Sequence, residues 1–206
     1  MDMPLQNRVS PSGELIRTSA RGTLLGNRGG ALHNEKQEIV RPCKGQRWIT
    51  CLLEFRGRSR VVMSPGLYTE LFFLDEATAL SAGHRPCAEC RRQRFNEFRE
   101  AWKRAGLQPG LAPEMDAVLH SARMDERGGK VTFEAALSDL PDGCFVQKNG
   151  IACLVRADAL LVWSPDGYRE RLRRDGAETV TVLTPEPLVR CLRHGFTPSV
   201  HESASK

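Results

Sequence analysis

An α+β fold is what this sequence predicts, and three observations carry the prediction. Apolar runs such as Trp48–Leu53 and Ala159–Trp163 have the length of strands, shorter than ordinary helices. Phe95, Phe98 and Trp102 recur at i, i+3 and i+7, while Arg92, Asn96, Arg99 and Lys103 take the other side of what must be a helix. Asn149-Gly150, between CFVQK and IACLV, is a hairpin turn, because these residue types accept the positive φ that such a turn demands.

The elements follow in order. Residues 1–40 are rich in Gly, Arg, Ser and Asn and read as a loop-rich lead-in, with Gly22, Gly26, Gly29 and Gly30 as punctuation. GNRGG there lacks the Lys-Ser/Thr ending of a phosphate loop. WITCLLEF reads as a strand, Arg56-Gly57 as a turn, RSRVVM as the partner strand and LYTELFF as a third. Asp75 is placed to cap a short helix, EATALSA, which Gly83 ends. A longer helix is predicted from about 88 to 105, and QPGLAPEM at 108–115 marks a sub-domain boundary. Short helices are expected near 116–124 and 133–140, then the turn Pro141-Asp142-Gly143 and strands in CFVQK, IACLV, ALLVW and TVTVL. Pro185 or Pro187 opens a last helix, PLVRCLRH, and the tail 201–206 is expected to be disordered. The predicted regions are therefore 1–40, 41–107, a β-rich 108–200 and the tail.

The 206 residues are 40% apolar and 27% charged, ordinary values for a globular chain able to build its own core. No apolar stretch has the length of a membrane span, and MDMPLQNRVSPSGE lacks the basic start and apolar block of a signal peptide, so a cytoplasmic location is expected. In a reducing compartment seven cysteines imply metal or core packing, with no disulfide-linked partner. Cys144, Cys153 and Cys191 sit in apolar patterns and read as small buried hydrophobes; Cys43, Cys51, Cys87 and Cys90 remain for chemistry.

His84-Arg85-Pro86-Cys87-Ala88-Glu89-Cys90 has the form of a zinc knuckle. A Cys-x-x-Cys turn aims two thiolates at one metal, and a helix starting inside it favours their charge through its dipole. A redox site is the competing interpretation, but it would want a strand feeding the first cysteine, whereas a helix ending at Gly83 feeds this one. The expected architecture is thus a zinc-stabilised hairpin-and-helix N-terminal half followed by a β-meander with short helices.

The run FFLDEATALSAGHRPCAECRR resembles the second half of the Ada-type metal-binding domain, through Phe73, Ala79, Gly83, Arg85, Pro86, Cys87, Cys90 and Arg91. A longer run is similar to bacterial proteins without an assigned activity. The resemblance implies that Cys87 and Cys90 are two of four zinc ligands in a treble-clef-like unit. The family's upstream ligands come from a tight pair that this chain lacks; it offers the widely spaced Cys43 and Cys51. Cys51 stands where an upstream ligand belongs, and the fourth is expected to be Cys43, then His33, then His84, which replaces the family's aromatic. In the DNA-repair members an upstream zinc-bound cysteine takes a methyl group from a DNA phosphotriester; the motif around it is absent here, so that activity is not implied.

The net charge of +5 suits a polyanion. Residues 41–60 hold Arg41, Lys44, Arg47, Arg56, Arg58 and Arg60 against Glu54, and Arg85, Arg91, Arg92 and Arg94 surround the knuckle. The leading expectation is a zinc protein associated with DNA or RNA through Arg85, Arg91, Arg92, Arg94, Arg56 and Arg58. A second is a nuclease-like or thiolate-based enzyme of nucleic-acid processing or repair. For this, His120 is the catalytic candidate, with Asp116 four residues upstream to orient it. A third is a protein-interaction module with structural zinc.

Overall fold

The computed structural model describes residues 3–57, 61–108 and 110–205. Two six-stranded sheets divide them. The first comprises β1 (Gln6–Val9), β2 (Leu15–Arg17), β3 (Leu24–Arg28), β4 (Trp48–Cys51), β5 (Leu71–Phe73) and β6 (Arg85–Pro86), in the order β2-β1-β5-β3-β4-β6. Most of its pairs are antiparallel; β1 with β5 and β4 with β6 are parallel. The second, antiparallel throughout, comprises β7 (Phe133–Ala136), β8 (Phe145–Lys148), β9 (Ile151–Arg156), β10 (Ala159–Ser164), β11 (Gly167–Arg173) and β12 (Thr179–Val182), in the order β11-β10-β9-β8-β12-β7. Four α-helices complete the fold: α1 (Glu76–Ser81), α2 (Arg92–Arg104), α3 (Ala112–Arg123) and α4 (Glu186–Arg193).

Local chemistry accounts for the elements that matched expectation. Asp75 caps α1 by accepting the Thr78 amide at 2.8 Å. Asn149 (φ 51°) and Gly150 (φ 79°) take the left-handed conformation that joins β8 to β9. On α2, Phe95, Phe98 and Trp102 are buried together with Leu119 of α3, Leu188 of α4 and Val146, Cys153 and Val182 of the second sheet. Each such side chain contributes about 1.5–3 kcal/mol. This single core runs across the 108–115 break, so the break connects two helices of one core.

Other expectations are corrected. Residues 6–28 contribute three strands to the first sheet, β3 lying near its centre, and do not form a loose lead-in. β4 pairs with β3 and β6, whereas RSRVVM was the expected partner. Positions 58–60 of that run, Arg58 among them, lie outside the described residues, and 61–63 form no strand. Residues 133–136 form β7 against β12 in place of a helix, with only a 3₁₀ turn at Leu137–Asp139. The tail is ordered: Glu202–Ser205 form a 3₁₀ turn with Ala204 buried. Asp75 holds it down, since its Oδ2 accepts from the Tyr168 hydroxyl at 2.7 Å and the His201 amide at 2.9 Å. Among the described residues no helix is long and apolar enough to cross a membrane.

Candidate metal centre

β4 ends at Cys51, and β6 runs beside it with Ile49 opposite Arg85 and Thr50 opposite Pro86. The Cys87 amide continues the pairing by donating to the Thr50 carbonyl at 2.9 Å. This register delivers the knuckle to the end of β4. The sulfurs of Cys51, Cys87 and Cys90 lie within 4.8 Å of one another. Tetrahedral Zn–S bonds of about 2.3 Å put neighbouring sulfurs about 3.8 Å apart, so the triad could hold a metal ion with little adjustment.

Its surroundings favour thiolate at Cys87. The Glu89 amide donates to Cys87 Sγ at 3.4 Å; the Cys90 amide also donates to Cys87, and the Leu52 amide to Cys90. Such donors fix sulfur orientation and temper its charge. The Cys51 thiol donates to Cys87, which holds Cys87 well below the usual thiol range and, with burial, pushes Cys51 far up. Burial chiefly raises Cys90. The first negative charge therefore settles on Cys87, and further ones are costly without a cation.

None of the three residues expected as fourth ligand joins this group. Cys43 is half-buried in the loop before β4, where the Lys44 amide bonds the Arg28 carbonyl at 2.9 Å. Arg28 pairs with Trp48, whereas Cys51 pairs with Leu25. Cys43 is thus pinned at the far end of the β3–β4 ladder, three residues or about 10 Å along the strand. His33 is engaged by Thr69 Oγ1 at 2.7 Å and the Ser64 carbonyl at 3.2 Å. His84 is fully buried, its ring centroid 5.0 Å from that of Trp48 and 4.7 Å from that of Phe73, and its Nε2 accepts from Arg28 Nε at 3.3 Å. Burial, then Arg28 and Arg123, lowers its pKa and keeps the imidazole neutral.

The arginines around the knuckle are mostly committed within the fold. Arg85 forks onto Asp116 at 2.9 and 2.7 Å, and Arg91 bonds Thr50 Oγ1 and Glu76 Oε1, each at 2.8 Å. Arg94 bonds Glu76 Oε2 at 2.6 Å and also pairs with Glu97. Arg85 and Arg91 are buried and closed on the carboxylates of Asp116 and Glu76, so their charge is answered within the fold; Arg56 and Arg92 are exposed. His120 is likewise not assembled as a general base. Asp116 belongs to Arg85, and His120 Nδ1 lies 3.2 Å from Arg123 Nη2. Burial and that guanidinium lower the His120 pKa.

Sequence reasoning missed a second cluster, Arg28, Trp48, Arg123 and Lys130. Its members come from a strand pair, a helix end and a turn, and no local spacing connects them. Among protein-family models, curated proteins and solved structures, none matches the chain.

Proposed function

We propose that the chain is a zinc-binding protein in which Cys51, Cys87 and Cys90 hold the ion and the remaining position is open to a ligand from outside the chain. The convergence of three sulfurs from two distant segments carries this reading. An all-thiolate set suits zinc and excludes hard cations such as magnesium and calcium. The resemblance of the knuckle to the Ada-type unit supports the same ion. When bound, zinc would tie the end of β4 to the start of α2 and supply a Lewis-acidic position, as three-ligand sites do. The triad must stay reduced to serve, which fits a cytoplasmic location.

A DNA or RNA partner is the second reading, favoured by the exposure of Arg92 just beyond Cys90 and of Arg56 in the loop after β4. Salt-dependent binding that weakens in Arg56→Ala and Arg92→Ala would support it.

The deciding experiment is metal content per chain in protein purified without chelator. One zinc per chain is expected, retained in Cys43→Ser and lost in Cys51→Ser and Cys87→Ser. Chelation should lower the melting temperature of the wild type, since the binding free energy of a structural ion, about 10–16 kcal/mol in small zinc domains, adds to folding. Zinc retained in both triad variants would overturn the proposal.

A further inference from the structure

Arg28 on β3, Arg123 at the end of α3 and Lys130 converge around Trp48. The guanidinium carbons of Arg28 and Arg123 each lie 4.1 Å from its ring. Backbone pairing of Met124 with Lys130, and of the Val131 amide with the Arg123 carbonyl, holds Arg123 and Lys130 together. Gly83 makes room: its φ is +86°, and a Cβ there would stand 2.5 Å from Arg123 Cδ.

No carboxylate pairs with the cluster among the described residues, although Cys43 lies near enough to act on both arginines. Arg28 donates to the Gly13 carbonyl at 2.8 Å, the Pro42 carbonyl at 3.4 Å and His84. Arg123 donates to the Gly83 and Gln46 carbonyls at 3.0 and 2.6 Å, and Lys130 to the Ser81 carbonyl at 2.7 Å. Arg28 and Arg123 are each 2% exposed, and Arg123 Nε has no hydrogen-bond partner. Among the described residues none of the three forms an ion pair with a carboxylate. Asp116, whose charge reaches Arg123, is taken by Arg85. Burial and mutual repulsion lower Arg28 to about 9, and burial and the two guanidiniums lower Lys130 to about 7. Burying cations without partners costs several kcal/mol per ion, a cost that an anionic ligand offsets.

The cations line a cleft of about 800 Å³, within the range of small-molecule sites. Ile16, Ile39, Val40 and Met124 form apolar walls, exposed Arg41 stands at the rim, and exposed Glu14 is the acid lining it. We propose that this cleft binds a small organic phosphomonoester, its dianion taken by Arg28, Arg123 and Lys130 and its organic body by the apolar walls. A dianion answers three converging cations better than a single carboxylate, and free inorganic phosphate would leave the walls unused. The site lies at the Arg28–Trp48 end of the ladder, away from the triad, so it stands or falls independently of zinc.

Calorimetric titration of the full chain with inorganic phosphate, phenyl phosphate and acetate tests this. Phenyl phosphate should bind most tightly, inorganic phosphate more weakly and acetate least. Lys130→Met should weaken phenyl phosphate about ten- to hundredfold, the effect of one charge-assisted hydrogen bond. Arg41→Ala, exposed and outside the core, should weaken it several-fold with the melting temperature unchanged, which keeps the test valid if Lys130→Met fails to fold. No binding of either phosphate at millimolar concentration, or unaltered affinity in both variants, would overturn the site. Equal affinity for the two phosphates would overturn the organic body.

Discussion

Beneath the knuckle, Arg85 closes on Asp116 while Arg91 and Arg94 share Glu76. At the Arg28–Trp48 end of the β3–β4 ladder, Arg28, Arg123 and Lys130 face carbonyls, imidazoles and one another. The first group has its counter-ions built in, so removing one leaves a charge stranded. The second has no carboxylate paired with it among the described residues, and its desolvated charge penalises the ligand-free fold. Burial alone therefore does not separate structural arginines from binding ones; the presence or absence of an internal carboxylate does.

Glu76→Gln should give the largest effect. Glu76 accepts from Arg91 and Arg94 and from the Ser199 amide at 3.0 Å, so it joins α1 to α2 and to the C-terminal segment. Leaving the buried Arg91 guanidinium without its anion, while Arg94 keeps Glu97, should cost about 3–5 kcal/mol in urea denaturation. A loss below about 1 kcal/mol would break the comparison on its structural side.

Lys130→Met should act in the opposite direction, raising the stability of the ligand-free chain by up to about 4 kcal/mol at neutral pH. The folded chain holds the Lys130 pKa near 7 against 10.5 when unfolded, because of burial and the neighbouring Arg28 and Arg123. The unfolded chain therefore binds more protons between these values, and stability rises with pH across that window, by up to about 1.4 kcal/mol per unit. His84, which also feels Lys130, stays neutral throughout. The variant's advantage should be largest below pH 7 and vanish near the upper value. An advantage independent of pH would show that Lys130 is not desolvated.

The contrast also tracks what was legible in the sequence. The caps and turns of α1 and of the β8–β9 hairpin depend on adjacent residues and could be read directly. β1 and β3 could not, because their partners lie far along the chain, Arg8 opposite Phe72 and Leu24 opposite Phe73. FEAA at 133–136 has helix-forming composition, yet pairing with β12 draws it into a sheet. Cys87 and Cys90 were visible through their spacing, and Cys51 through its place on a strand. Cys43 was misplaced because proximity in sequence hid the length of the strand between them. The cationic cleft was invisible for the same reason β1 was: residues 28, 48, 123 and 130 meet only through tertiary packing.

Lys103→Ala supplies the smallest effect and calibrates the other two. Lys103 and Glu100 stand 3.1 Å apart on α2, each side chain 52% exposed. Water and salt screen such a pair, and holding two long side chains together costs entropy, so the loss should stay below about 0.5 kcal/mol and shrink further in added salt. The same helix carries Arg94, itself half-buried, whose partner Glu76 lies in the interior. Comparing Lys103→Ala with Glu76→Gln by urea denaturation thus sets an exposed ion pair within α2 against a buried carboxylate of α1 that pairs with α2. A cost for Lys103→Ala approaching that of Glu76→Gln would mean that α2 is stabilised by charge wherever it lies, and the distinction between internally paired and unpaired cations would lose its basis.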